Sequence, residues 1–525
     1  MTKADVTLGN WFARRAAATP GARALTFEGA TATYGQLRDR VDRLAAALKD
    51  GGVCAGDRVA FLGLNQPAFL ETMFAAARLG AIFVPLNFRL TGPELTFIVG
   101  DAGVHTLIAD LDHQGVIDAI RGALPVRVYV GVDTGASWPG GGSGNGGGSG
   151  AGGPWRSYEA LIRASPPLDL FEPVGSDAVA LIMYTSGTTG RPKGAMLTHS
   201  NLWWNNTNVL HMLDVLETDV TLVAAPLFHI GGLNVTTLVT MQKGGEVLLF
   251  RSFDAGACLE AIPRYGVTTM FGVPAMFLFM SQHPAFQSTD LTGVRTLVCG
   301  GAPLPEPLIR LYAGRGILIQ QGYGLTETSP SVSFLGPDYA LAKVGSAGRP
   351  PLFVDVRVVD GDGRVLSEPS ARGEICTRGP NVMKGYWNRP DATALAIDAE
   401  DWFHTGDIGY LDQDGFLYVA DRVKDMVITG GENVYPAEVE SVLYDHPAVA
   451  EVAVIGLPDE RWGEIVAAVV APKAGQEVTL DKLRDFAAYS LARYKLPSRL
   501  FVVDSLPRTP SGKVLKFELR ERFGG

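Results

Sequence analysis

The chain has 525 residues, 46% of them hydrophobic and 19% charged, with a formal net charge of −10. That composition supplies ample core, excludes a disordered chain, and speaks against non-specific nucleic-acid binding, which needs a basic face. Glycine is in excess, 63 residues where a share of roughly 7% is usual, and such an excess marks either close backbone–ligand contact or flexible segments.

Met1-Thr2-Lys3-Ala4-Asp5 leads into no apolar h-region, so no secretory leader is expected. No run reaches the roughly 18 apolar residues of a membrane-spanning helix. Thr33-Tyr34-Gly35-Gln36 fits a capping box, and Leu37, Val41, Leu44 and Leu48 then share one helical face before Gly51. Residues 57–62 predict a strand, 67–79 a helix and 81–85 a second buried strand, an α/β pattern with a parallel sheet. Residues 140–153 are almost wholly Gly, Ser, Ala and Asn, the composition of a flexible insert, placed at about 135–153. Strands are predicted again near 178–183, 246–250, 268–273 and 294–299, with helical stretches between them. From about 352 the texture turns β-rich. Segments 354–359 and 364–366 flank Asp360-Gly361-Asp362-Gly363, a hairpin signal, and 416–420 reads as another short strand.

A third texture begins near Lys424: helix 437–443, strands 450–455 and 464–471, helix 480–492 and strand 500–503. The expected fold is α/β, with a large N-terminal domain (1–423) of α/β subdomains and a β-rich subdomain, then a small α+β C-terminal domain (424–525). Cys54, Cys258, Cys299 and Cys376 lie far apart, with no CxxC and no histidine at ligand spacing. They read as reduced thiols of a cytoplasmic protein rather than a metal site.

The chemistry is densest in Tyr184-Thr185-Ser186-Gly187-Thr188-Thr189-Gly190-Arg191-Pro192-Lys193-Gly194. Glycine turns point backbone N–H groups at an anion, the hydroxyls add donors, and Lys193 adds a point charge, so the loop suits a polyphosphate. It is not a Walker loop, because the lysine stands three places after Gly190 and is followed by Gly194.

This loop resembles the signature phosphate loop of the AMP-forming adenylate enzymes, which include acyl- and aryl-CoA synthetases. Four further motifs follow in the family's order. They are Gly322-Tyr323-Gly324-Leu325-Thr326-Glu327, Trp402-Phe403-His404-Thr405-Gly406-Asp407, Asp421-Arg422-Val423-Lys424-Asp425 and Pro507-Arg508-Thr509-Pro510-Ser511-Gly512-Lys513. The resemblance covers essentially the whole chain outside the Gly-rich insert. It implies ATP, Mg2+ and CoA as ligands and a small-molecule carboxylic acid as substrate. Glu327 would hold the metal, and one glutamate suffices because Mg2+ keeps waters and phosphate oxygens. Thr185 and Thr326 would stand by the phosphates, Tyr323 would face the adenine, and Gly300-Gly301-Ala302-Pro303 would run beside the base. Asp407 would take the ribose hydroxyls and Arg422 the ribose or phosphate. Lys513 would stabilise the charge that develops during adenylation. The small domain would be mobile about Lys424, letting Gly430 and Gly431 approach the pantetheine arm in the second half-reaction.

His229 matches the family aromatic between acyl pocket and thiol tunnel. The pocket itself would be lined by Trp204, His229, Gly232, Asn234, Phe271, Gly300, Gly324 and Ser331. These mostly apolar walls disfavour a second carboxylate and leave a fatty and an aromatic (phenylpropenoic or benzoic) acid both open. The expected activity is that of an AMP-forming carboxylic acid:CoA ligase. Delivery of the activated acid to a carrier-protein thiol, an amine or another nucleophile is the alternative. The sequence leaves the oligomeric state open, a homodimer included.

Overall fold

The structure, a computed structural model, describes residues 6–132, 155–168, 173–185, 192–422, 425–429, 432–459, 462–488, 490–491, 493–508 and 514–524. The Gly-rich insert, Ser186 to Gly190, Lys424, Gly430, Gly431 and Lys513 therefore lie outside the described residues.

Two eight-stranded sheets form the bulk of the chain. In the first, Ile319–Gly324, Thr296–Gly300, Thr269–Gly272, Val220–Val223, Glu246–Leu249 and Arg23–Phe27 run parallel, with antiparallel edge strands Ser331–Leu335 and Ala30–Thr33. In the second, Val179–Thr185, Ile82–Leu86, Arg58–Leu62, Val104–Asp110 and Val128–Val132 run parallel. Lys193–Thr198 and then Gly385–Tyr386 add antiparallel strands at its edge. All residues of Ile82–Leu86 and Val104–Asp110 are buried, as parallel strands covered on both faces require. Helix Pro67–Arg78 is buried on every side and shares one apolar cluster with strands of both sheets, so it is an internal packing element.

The capping box forms as expected. Thr33 accepts from the Gln36 N–H while Gln36 accepts from the Thr33 N–H, and the helix they start, Tyr34–Asp50, buries Leu37, Val41, Leu44 and Leu48. The turn at 360–363 does bring segment 364–366 back antiparallel, through the Val359–Val365 bridge and the Leu366 N–H bond to the Val358 carbonyl. The pairing stays short, with Val365 57% exposed, and the full-length partner of Asp355–Val359 is Gly373–Arg378. Three residues with their central valine in water bury too little to hold a strand. Helix 480–492 also ends early, at Ala487.

Strands Asp355–Val359, Gly373–Arg378, Phe403–Leu411 and Leu417–Arg422 form an antiparallel sheet, the β-rich element. After Arg422 the chain changes sheet. Val427–Thr429, Glu432–Val434, Val449–Asp459, Gly463–Pro472 and Arg499–Val502 make a five-stranded sheet. Alternate residues of its long hairpin enter two cores on opposite faces, Val454, Val466 and Val470 on one and Ile455, Ala467 and Val469 on the other. A large mixed α/β domain and a smaller C-terminal domain result.

Candidate active site

The site gathers where strand Ile319–Gly324 ends. Gly300 and Gly322 are register partners there, and a Cβ on Gly300 would stand 3.2 Å from the Gly322 carbonyl oxygen. Gly301 follows with φ +84°. Ala302 and Pro303 are exposed beside it. Gly324 admits no other residue: a Cβ would fall 1.5 Å from the Pro330 carbonyl oxygen. The fold alone therefore explains that glycine, because the chain turns back on itself through Thr326–Thr328 to start strand Ser331–Leu335.

Two carboxylates are set from this strand end. The Tyr323 hydroxyl donates to Asp407 Oδ2 at 2.6 Å, and Asp407 is 7% exposed. Asp407 is held on its own strand by pairing with Arg422 and by an N–H bond to Thr405 Oγ1. Glu327, in the short turn beyond Gly324, is also 7% exposed. Its Oε1 accepts from the Tyr386 hydroxyl at 2.9 Å and lies 3.5 Å from Thr185 Oγ1. Thr185 ends its strand in register with Lys193, so both flank the start and end of the phosphate-loop motif. Lys193 Nζ sits 5.0 Å from the centroid of the Tyr386 ring. Among the described residues no cation pairs with Glu327, so a buried carboxylate stands with two neutral hydroxyls for neighbours. A hard divalent cation fits such a donor set, since it takes oxygen ligands and leaves room for phosphate oxygens.

Glu374 was not singled out by sequence, yet it anchors the Asp407 turn. Its Oε1 accepts from the Gly406 N–H at 3.0 Å and its Oε2 meets His404 Nδ1 at 2.9 Å. Antiparallel pairing sets Cys376 opposite His404, and with Glu374 their ligand atoms lie within 4.8 Å of one another. Chain spacing alone gave no sign of that neighbourhood. Burial pushes the Cys376 thiol up to about 12.

Asn201 and Asn381, also missed, knit the floor together with Asn205. Asn381 Nδ2 donates to the carbonyls of Thr328 (2.6 Å) and Ser331 (2.7 Å), and Asn201 Nδ2 donates to those of Pro380 and Val382. Asn205 Oδ1 accepts from the Ser331 N–H, and its Nδ2 donates to the Asn234 carbonyl. Asn234, wholly buried, donates to the Ser329 carbonyl.

The expected pocket residues fall into two groups. A Cβ on Gly231 would stand 2.8 Å from the Phe271 ring and one on Gly300 3.4 Å from it, so Phe271 lies over both glycines. Asn234, Ser331 and Gly324 join them through the turn just described. Gly232 opens a six-residue π-helical stretch, Gly232–Thr237, where a Cβ would meet the Pro226 carbonyl oxygen at 2.3 Å. His229 stacks obliquely on Phe228, centroids 4.3 Å apart. Trp204 instead turns its ring to Phe353, itself 38% exposed, at 5.1 Å.

The AMP-binding enzyme model matches residues 12–387, and its C-terminal domain model matches 438–513. The chain belongs to the AMP-binding enzyme family. This AMP-binding enzyme is 47% identical over 517 residues to a feruloyl-CoA synthase of Amycolatopsis sp, covering 98% of this chain and 99% of the relative. It is 42% identical to an indoleacetate–CoA ligase of Aromatoleum aromaticum, covering 98% of each chain. Among solved structures it resembles O-succinylbenzoate coenzyme A synthetase from Bacillus subtilis in complex with ATP and magnesium ion. The TM-score is 0.83 at 34% identity, over 97% of this chain and 99% of that one. The enzyme is thus an AMP-forming acid–thiol ligase, and ATP, Mg2+ and CoA are its expected ligands. No helix among its described residues is long and apolar enough to cross a membrane.

Proposed function

We propose that this enzyme is a carboxylic acid:CoA ligase for aryl acids. The observation that carries the reading is that one strand end sets both buried carboxylates, Asp407 through Tyr323 and Glu327 through the turn beyond Gly324. A nucleotide laid across that end would have its ribose hydroxyls at Asp407 and its phosphates between Glu327, Thr185 and Lys193. Tyr323 would face the adenine, and Arg422 and the Gly300–Pro303 strip would flank it.

In the first half-reaction a carboxylate oxygen of the acid forms a bond to the α-phosphorus, and the α–β anhydride bond breaks to release pyrophosphate. Mg2+ held at Glu327 would supply charge neutralisation for the phosphate oxygens. Lys193 and the loop hydroxyls would bind the departing phosphates, and Lys513, carried in on the small domain, would stabilise charge at the α-phosphate. In the second half-reaction the CoA sulfur forms a bond to the acyl carbon, AMP leaves with the former carboxylate oxygen, and the thiol proton passes to solvent. Rotation about Lys424 would bring Gly430 and Gly431 to the pantetheine, and His229 would separate acyl pocket from thiol path.

The preference for aryl acids rests on the feruloyl and indoleacetate relatives and on Phe271, an aromatic whose ring edge reaches both Gly231 and Gly300. The test is pyrophosphate release across a panel of acids, with and without CoA. Phenylpropenoic or indole acids should release pyrophosphate faster than long-chain fatty acids of equal concentration, and CoA should give their thioesters. Preferred turnover of fatty acids would overturn the aryl assignment, and pyrophosphate release without a thioester would mean another acceptor.

A further inference from the structure

We propose that Tyr386 is a positioning residue that fixes the Glu327 carboxylate for metal binding, an inference that rests on Glu327 holding Mg2+. Tyr386 belongs to a two-residue strand whose backbone is tied to the site at several points. Its own N–H donates to Thr393 Oγ1 at 2.9 Å, the Trp387 N–H to the Gly194 carbonyl at 2.8 Å, and the Met383 N–H to the Glu327 carbonyl at 2.7 Å. The segment therefore grips the Glu327 backbone just before the phenol reaches the Glu327 side chain. The hydroxyl bond to Oε1, 2.9 Å, is shorter than the 3.5 Å approach of Thr185 to the same oxygen.

A carboxylate with no described cation beside it would turn freely about its last torsion, which is broad and weakly restrained. One good donor on Oε1 fixes that torsion. It leaves Oε2, together with the remaining lone pair of Oε1, for an incoming ion. A tyrosine phenol is neutral at physiological pH and so serves Glu327 as a donor. The ring has a second task, separable from the first: its face carries Lys193 Nζ at 5.0 Å. Tyr386→Phe keeps the ring, its packing against the main apolar cluster and the lysine platform, and removes only the donor.

The test uses Mn2+ with a non-hydrolysable ATP analogue and the full-length enzyme, read by electron paramagnetic resonance. The comparison is wild type, Tyr386→Phe and Glu327→Gln. Loss of an outer partner of a metal ligand typically costs about 10–100-fold in metal affinity. Tyr386→Phe should therefore weaken the Mn2+-dependent part of analogue binding roughly tenfold, while metal-free analogue affinity and the melting curve stay as in wild type. Its turnover should recover at saturating Mg2+, because the ligand itself is intact, whereas Glu327→Gln should not recover. Mn2+-dependent binding in Tyr386→Phe within twofold of wild type, with Glu327→Gln impaired, would overturn the positioning role. Unimpaired Mn2+ binding in Glu327→Gln would overturn the metal reading of Glu327, and the proposal with it.

Discussion

Replacing Glu327 by glutamine is expected to slow acyl-adenylate formation by about 10²–10³-fold, the usual effect of removing one preorganised stabiliser of developing charge. Glu327 is 7% exposed, its carboxylate is hydrogen-bonded by a neutral phenol, and no described cation pairs with it. Glutamine fills the same volume and its amide oxygen can still accept from Tyr386, which confines the change to the missing charge. In the proposed reading Glu327 would serve the phosphates, whereas the thioester step begins after pyrophosphate has left. Thioester formation from supplied acyl-adenylate and CoA should therefore continue at close to the wild-type rate. Rapid-quench measurement of pyrophosphate, set beside thioester formation from the adenylate, separates the two steps. Equal loss in both would assign Glu327 to the shared nucleotide site rather than to the phosphates.

The largest expected loss of stability lies far from this chemistry, at Arg40. Its guanidinium makes four hydrogen bonds, two to each of the Glu71 and Glu159 carboxylates, between 2.6 and 3.2 Å. Tyr158 adds a hydroxyl bond to Glu71 at 2.8 Å. The side chains are 12%, 0% and 7% exposed for Arg40, Glu71 and Glu159, so two carboxylates share one buried cation. Burial alone would lower the Arg40 pKa, but the charge of Glu71 and the bonds to both carboxylates outweigh it and the arginine stays fully protonated. The three residues sit on helices Tyr34–Asp50, Pro67–Arg78 and Tyr158–Ala164, so the cluster also pins the chain where it returns after the Gly-rich insert.

Removing one partner of a buried ion pair typically costs 3–5 kcal/mol, because the other charge is left uncompensated. Arg40→Met should therefore lower the unfolding free energy by about 3–5 kcal/mol, measured by urea denaturation at neutral pH. Adding Glu71→Gln and Glu159→Gln should restore much of it, since the triple variant leaves no charge unpaired. A cost below about 1 kcal/mol would place the cluster in the class of surface pairs and contradict its burial.

Much of the fold was legible because its signals are local. The Thr33–Gln36 box and the heptad-like spacing of Leu37, Val41, Leu44 and Leu48 fix a helix over a few residues, and all four leucine and valine side chains are buried. The run 178–183 contains enough consecutive apolar residues to predict a buried strand without its partners. The segment at 364–366 returns only as a short bridge for the opposite reason. Its turn chemistry was right, with Asp360 Oδ1 accepting from the N–H groups of Asp362 and Arg364, but no apolar face followed.

The site was legible where one residue carries its own chemical signature, as Glu327 and Asp407 do within their motifs. Tyr386, Asn381 and Glu374 were not, because their significance depends on a partner distant in sequence. Tyr386 acquires its place only when a strand nearly 200 residues earlier pairs with it. Trp204 likewise gains a partner that chain position did not suggest, the ring of Phe353.

The most direct test of the account follows oxygen. An accepted aryl acid labelled with 18O in its carboxylate, incubated with the enzyme, ATP, Mg2+ and CoA, should deliver one 18O atom to each AMP formed, with unlabelled pyrophosphate and one acyl-CoA per AMP. That outcome requires the acid's own oxygen to have bonded to the α-phosphorus. Label appearing in pyrophosphate or inorganic phosphate, or formation of ADP in place of AMP, would contradict it.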